Sequence, residues 1–267
     1  MRTVVLAPSR LLPALGLAAI AHGAAAQGFD AVRLFSPPQG DGSGNFGAVV
    51  VAGRAYAGSD ESRTLVVPAL NYRWKNGWFA GTNNGVGYLF PSAEQFQYGV
   101  RLTPDLGRKA KRSSVLDGMD DVPLSAEAGA FFNMYLSRQF YLTSSLRVGS
   151  GDDHRGVVLD LGANYAFQLA PQWRLSVGGA VTATDGSYMH SYFGVDASKA
   201  TATRPAFDAG AGVRDVRASV SLAYAITPFC DAVAAVSASS YQGNARRSPL
   251  TRDASPVSGI LALTHDF

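Results

Sequence analysis

Apolar and polar side chains alternate with period two along most of this chain. Leu159, Leu161, Ala163, Tyr165 and Phe167 share one side of a segment, and Asp160, Gly162, Asn164 and Ala166 share the other. The next segment sets Trp173, Leu175, Val177 and Val181 against Arg174, Ser176, Gly178 and Thr182. A two-residue period sends side chains to opposite faces of a β-strand. The pattern predicts strands over about 46–56, 64–74, 96–103, 125–134, 140–148, 155–167, 172–182, 213–226, 229–241 and 256–267. Between the second and third of these, Lys75-Asn76-Gly77 and Asn84-Gly85 both read as tight turns, because Asn-Gly accepts the positive φ of hairpins. Two short strands over 77–90 bring the count to twelve; if they do not pair, the alternative is ten.

Connection lengths alternate as well. Ser137-Arg138, Ala170-Pro171 and Thr227-Pro228 are short turns, whereas 104–123, 150–154, 184–208 and 242–255 are longer and polar. Outer-membrane barrels combine strands of about ten residues with short periplasmic turns and longer external loops. Only a closed sheet satisfies every backbone group within lipid. The expected fold is therefore all-β, a transmembrane antiparallel up-and-down barrel. A soluble sandwich also alternates. Aromatics at strand ends (Trp74, Tyr88, Phe96, Phe140, Tyr165, Phe167, Trp173, Tyr224) favour the barrel, read as girdles at both interfaces. So does the final strand, which ends on Phe267 like the signal read by barrel-assembly machinery. His265 takes an outward place in that strand where an apolar residue is usual.

The start of the chain sets the expected compartment. Arg2 and Arg10 precede and open an apolar run over 11–21, and Ala24-Ala25-Ala26 follows. This is the order of a secretory signal cleaved after Ala26, and the run is too short to span as a helix. The division is then signal 1–26, periplasmic lead-in 27–44 rich in Pro and Gly, and barrel 45–267, located in the cell outer membrane. Without residues 1–26, 21 basic stand against 20 acidic residues, which argues against a nucleic-acid partner. Cys230 is the one cysteine, so no internal disulfide forms; beside Thr227-Pro228 it reads as a small apolar filler.

Several short motifs, in their order and spacing, give the chain a family likeness. They are Tyr56-Ala57-Gly58-Ser59-Asp60, Pro68, Gly85-Val86-Gly87-Tyr88, Tyr192-Phe193-Gly194-Val195, Ala209-Gly210-Ala211-Gly212 and Ser248-Pro249-Leu250. Through them the chain resembles the MipA/OmpV family of outer-membrane proteins over nearly all its mature length. Arg247 departs from the acidic residue usual before Ser-Pro. The resemblance implies an outer-membrane barrel. For some members it implies a scaffold joining a lytic transglycosylase to a murein synthase, and for others adhesion or solute uptake.

Candidate chemistry is sparse. The chain lacks Gly-x-Ser-x-Gly, a P-loop and His-Glu-x-x-His, and it calls for no cofactor. His154, His190 and His265 lack ligand-like spacing, so no metal site is assigned. Ser191 adjoins His190 near Asp185, but on an extended strand neighbours face apart, so the chain is read as no enzyme. A lipid-modifying barrel enzyme is the remote alternative. Glu127, Arg147, Asp160, Arg174, Arg217 and Asp266 fall on the polar phase and should face the lumen, as a salt-bridge filling or a pore lining. Arg108, Lys109, Lys111 and Arg112 are placed in an external loop, as a solvated run or as contacts to lipopolysaccharide phosphates. The favoured role is a structural barrel engaging cell-wall enzymes; the alternative is a small channel. The periplasmic turns, to which residues 57–62 and 91–94 are added, are small against the about 800 Å² per partner of a standard interface. A scaffold role then falls on the lead-in or on weak multivalent contacts.

Overall fold

A computed structural model describes residues 42–82 and 84–267. Twelve antiparallel strands close into one barrel: β1 Ser43–Arg54, β2 Ser62–Arg73, β3 Trp78–Gly81, β4 Gly85–Leu89, β5 Phe96–Asp105, β6 Ser125–Tyr135, β7 Phe140–Ser150, β8 Gly156–Ala170, β9 Trp173–Thr184, β10 Gly212–Thr227, β11 Cys230–Tyr241 and β12 Val257–Asp266. Each pairs with its sequence neighbours, and β1 closes on β12 from Asn45↔Asp266 to Ala52↔Gly259. No described helix is long and apolar enough to cross a membrane. The wall is made of strands, as lipid demands of a barrel.

The alternation does what it predicts. Leu159, Leu161, Tyr165 and Phe167 are exposed on the outside, while Asp160 and Asn164 are buried within. The 77–90 stretch is two short strands, and Gly85 shows why a glycine stands at the second one's start. Its φ is +71°, and a Cβ there would lie 1.8 Å from the Leu102 carbonyl oxygen.

Several expectations need correction. The first strand starts at Ser43, so Ser43 and Gly44 belong to the wall and not to the lead-in. Residues 1–26 and most of the lead-in, 27–41, lie outside the described residues. Residues 55–61 are at the loop end of the barrel, because β1 runs upward from the end that carries Phe267; strand parity excludes the periplasmic placement. The turn that belongs at the other end is 74–77, closed by Gly77 N–H to the Trp74 carbonyl at 3.1 Å.

The aromatics form one girdle instead of two. Trp74, Trp78, Tyr88, Phe96, Tyr98, Phe132, Phe140, Tyr165, Phe167, Trp173 and Tyr224 all ring the turn end, pairing edge to face or tilted across strands. At the loop end, the tyrosines and phenylalanines are turned inward, and the outer face is left to Val66, Leu102, Val148 and Val257.

Phe267 seals the seam. Its N–H donates to the Gly44 carbonyl at 2.9 Å, and its carbonyl accepts from Gly44 N–H at 3.0 Å. Its ring stacks on Tyr72 and tilts against Phe46, with centroids 6.0 Å apart in both pairs. Deleting Phe267 removes two backbone bonds of about 1 kcal/mol each and the ring contacts of about 0.5–1.5 kcal/mol each. Phe267→Ala loses only the rings. The folded, heat-modifiable band on unboiled gels should therefore fall furthest for the deletion, less for Phe267→Ala, and not for wild type.

Candidate functional site

The polar phase builds a chain of ionic contacts across one wall of the lumen. Arg147 on β7 is its centre. Nη1 donates to Glu127 Oε2 at 2.7 Å and Nη2 to Asp160 Oδ2 at 2.7 Å. Its side chain is 2% exposed, and both carboxylates are as deeply placed. Gly129 on the neighbouring strand makes the room, since a Cβ there would stand 3.0 Å from Arg147 Cγ. Glu127 also accepts from Thr103 Oγ1 at 3.1 Å and from Ser150 Oγ. Asp160 Oδ1 accepts from Thr182 Oγ1 at 2.7 Å and from Arg217 at 3.4 Å. Arg217 then meets Asp215 at 3.2 Å, and Asp215 meets Arg214 at 2.6 Å. Two arginines and two acids were placed in this row by the strand phase; Arg214 and Asp215 were missed. They lie in adjacent positions where β10 shifts register between Val213 and Asp215, a bulge that turns both inward.

Arg174 and Asp266 do not join this row. Both lie near the turn end, where Arg174 has Asp231 and Tyr141 as its charged and titratable neighbours, and the strand register pairs Asp266 with Asn45. The opposite wall is apolar: Val49, Val51, Val67, Ala69, Ala223, Val233, Ile260 and Ala262 pack as one buried cluster on β10, β11, β12, β1 and β2.

Above the row, the long loops fold into the mouth and fill it. Within 184–208, expected to be irregular, Gly186–Phe193 is a helix, α1. Asp185 caps it, its side chain accepting from Tyr188 N–H at 3.0 Å. Tyr188, Met189, Tyr192 and Phe193, spaced on one helical face, are buried with Val122, Ala209, Tyr241 and Ala245. That spacing behind an Asp was the legible signal. A second helix, α2 Gly243–Arg247, follows β11. Leu116, Ala55, Tyr56, Val195 and Leu250 complete the core of this cap.

The family motifs meet here. Tyr56 Oη donates to the Leu250 carbonyl at 2.9 Å, and Ser248 Oγ donates to the Phe193 carbonyl at 2.6 Å. Asn244 Nδ2 donates to the Gly210 carbonyl at 2.9 Å. Arg247 donates to Asn244 at 2.8 Å, a local bond in place of an ion pair. The cap is bolted to the row below through Arg214, whose Nη1 donates to Tyr188 Oη at 2.6 Å, and through Tyr192, whose Oη donates to Asp105 at 2.6 Å.

Arg108 is corrected by this packing. It is 4% exposed and donates to the Tyr192 carbonyl at 2.9 Å, so it faces the cap and not lipid. Lys109 pairs with Asp121 at 3.1 Å; Lys111 is exposed and Arg112 half-buried. Ser191, His190 and Asp185 do not converge. Ser191 bonds Asp152, His190 meets Asp196 at 3.2 Å, and Asp185 caps α1. They lie on a helix, not on the strand assumed. Cys230 is no mere filler: its Sγ is 3.0 Å from His265 Nδ1, and His265 packs on Phe46 and Phe229.

The model of the MltA-interacting protein MipA family matches residues 46–267, and the chain belongs to that family. No curated protein matches it in sequence. Among solved structures it is similar to the NanC porin, at 13% identity over 82% of this chain and 98% of that one, with a TM-score of 0.46. It is similar to the KdgM porin at 8% identity, over 84% and 99%, with a TM-score of 0.45. With the Pseudomonas putida toluene transporter TodX the values are 10% identity, 95% of both chains and a TM-score of 0.40.

Arg147→Ala removes the guanidinium that bridges two buried carboxylates and should cost about 3–5 kcal/mol in denaturant unfolding from detergent. Arg174→Ala, at the half-buried turn end, should cost about 1 kcal/mol or less. The cap should also respond to alkali. Burial foremost, with the Asp60 carboxylate next, pushes the Tyr56 phenol from 10.0 up to about 12. The unfolded phenol ionises first as pH rises, so the stability Tyr56 supplies is whole below pH 10 and is lost as pH climbs through 12. Tyr56→Phe should lower stability at neutral pH by about 1–3 kcal/mol, through the bare Leu250 carbonyl, and shrink the alkaline loss measured between pH 10 and 12.

Proposed function

We propose that this barrel is a structural anchor of the outer membrane that engages a cell-wall lytic enzyme of the MltA kind at its turn end, without catalysis of its own. The observation that carries the proposal is the filled lumen. Arg147, Glu127, Asp160 and Arg217 bridge one wall, and the apolar cap seals the mouth above them. A barrel built to pass solutes keeps its narrowest ring open and wet; here that level is ion-paired and buried. The family name supports the partner. A murein synthase as a further partner rests only on the resemblance.

Short turns face the periplasm in such barrels, which puts the loops outside and residues 74–77, 90–95, 136–139, 171–172 and 228–229 inside. These turns are small beside a standard interface of about 800 Å² per partner. The proposal therefore gives a share of the contact to the lead-in. Because β1 begins at Ser43 and Gly42 N–H already bonds the Arg73 carbonyl, a deletion of 29–41 spares the wall.

Solute uptake is the second reading, and one observation favours it. In the turn-end half, Thr143 Oγ1 and Asn164 Nδ2 are buried and have no hydrogen-bond partner among the described residues. They sit in a polar stretch with Ser176, Gly178 and Ser219, where water or a small solute would satisfy them.

Wild-type protein in planar bilayers should show no stepwise conductance, and should co-purify from membranes in mild detergent with a lytic transglycosylase. The 29–41 deletion should assemble normally and retain less of that enzyme. Conductance without co-purification would replace the anchor with the channel.

A further inference from the structure

The barrel wall is incomplete on one side. β2 has twelve residues, but only Asn71, Tyr72 and Arg73 pair with β3. β3 and β4 have four and five residues, and β4 pairs with β5 no higher than Leu102. Thr82 ends the hairpin by bonding Leu70, its N–H to the Leu70 carbonyl at 2.8 Å. Above that point, Ser62 to Ala69 of β2 and Thr103 to Asp105 of β5 face each other with no strand between them. Three strand spacings of about 4.8 Å would make the opening about 14 Å wide. Val66 reports it: at 71% it is the most exposed large apolar side chain among the described residues, above the 51% of Leu161 in the fully paired wall.

Backbone phase gives the opening its chemistry. Leu70 turns both its N–H and its carbonyl to the hairpin side. Thr64, Val66 and Pro68 share that phase and so address the opening. In β5 the Tyr98 carbonyl accepts from Phe90 of the turn before it, so the even residues face β4, and Pro104 is the next of them above Leu102. Each lip thus places a proline where an N–H would otherwise point into hydrocarbon. Proline belongs on strand edges for this reason. Two prolines also disfavour an added strand, which would need those donors. The floor behind the lips is apolar, with Leu65 and Leu106 packed on the cluster of Val49, Val51, Val67 and Ala69.

At the upper end stand two arginines. Arg63, at the start of β2, and Arg112, in the 106–124 loop, stand on the two segments that the Ser113–Glu61 hydrogen bond ties together; Arg112 lies in the field of the Asp121 carboxylate, and neither arginine forms an ion pair among the described residues. The neighbouring carboxylate of Glu61 is engaged by Ser113 at 2.7 Å. Two guanidinium groups without an ion pair above an apolar slot have the chemistry of a phosphate site over an acyl site.

We propose that this notch holds one acyl chain of lipopolysaccharide, with a phosphate of its lipid A on Arg63 and Arg112. The bare N–H groups of Thr64 and Val66 lie near the arginine end, where the amide and ester carbonyls of lipid A acyl linkages can accept from them. The proposal takes from the anchor reading only the outward direction of the loops.

The test uses the full-length protein in detergent micelles. A photo-crosslinking p-benzoylphenylalanine replaces Val66, or Leu161 as the control on the paired wall, in the presence of lipopolysaccharide or phosphatidylglycerol. Lipopolysaccharide should be captured at position 66 about tenfold more than at 161, a difference of one decade in occupancy. Arg63→Ala with Arg112→Ala should bring capture down to the control level, and the paired Arg→Lys changes should keep most of it. If the double variant loses its heat-modifiable band, Arg112→Ala alone serves, since Arg112 lies in a loop. Equal capture at 66 and 161, equal capture of phosphatidylglycerol, or indifference to the arginines would each overturn the proposal.

Discussion

Hydrocarbon offers no partner to a backbone amide, and the rest of this structure follows from that constraint. It requires β12 to find β1, so that Gly44 and Phe267 exchange hydrogen bonds at the seam. Antiparallel closure of β12 on β1 goes with an even strand number, which puts both chain ends of the barrel at the turn end and all long connections at the other. It explains why the two shortest strands, β3 and β4, carry a consequence: wherever they stop, β2 and β5 lose their partners. Pro68 and Pro104 stand on those two edges, in the phase that faces the gap.

A closed wall of twelve strands encloses a lumen that must be filled or wetted. This chain fills it by two means. In the wall from β5 to β10, arginines reach between carboxylates, and each ion has several partners. An ion pair removed from water is stable only with such geometry, because the desolvation penalty is large. At the mouth, Tyr188, Met189, Phe193, Leu116 and Leu250 form a core of the ordinary soluble kind. The two depend on each other. The ionic row needs the cap to keep water out and its local dielectric low. The cap needs the row as its floor, through Arg214 on Tyr188 and Asp105 on Tyr192.

The wall was legible from residue order because strand phase has a period of two and each strand has only one lipid face. Leu159 to Phe167 could be assigned without knowing any neighbour. The charged row was half legible. Phase places Glu127, Arg147, Asp160 and Arg217 inside, yet it places Arg174 and Asp266 there too, and it says nothing about height along the barrel. Height depends on strand tilt and register, which separate the last two from the rest. The bulge that turns Arg214 inward breaks the very period used to read it. The cap was least legible. Its motifs lie up to about two hundred residues apart in sequence (Tyr56 to Leu250), and each is short. Only the helical spacing of Tyr188, Met189, Tyr192 and Phe193 behind Asp185 announced itself locally, and α1 was read as loop because its surroundings were.

The two ends of the barrel are therefore different materials. Burial from water stabilises the loop end, so its family motifs are accounted for by packing: Tyr56 by Leu250, Ser248 by Phe193, Gly210 by Asn244. Residues recruited to hold a lid together do not argue for a ligand at that lid. The turn end has only the small buried cluster of Phe79, Leu89 and Phe131; it has an aromatic girdle outside, short turns, and a polar stretch where Asn164 and Thr143 keep unpartnered atoms among the described residues. Buried polar groups are costly unless something satisfies them. That end is one place where water, a solute or a partner segment has something to gain. The same logic applies to the wall, where Arg63 and Arg112 form no ion pair among the described residues above an apolar slot. Buried polar atoms are left over at the loop end as well, on Thr184, Arg108 and Arg204, so packing and ion pairing close the mouth without answering every polar group beneath it.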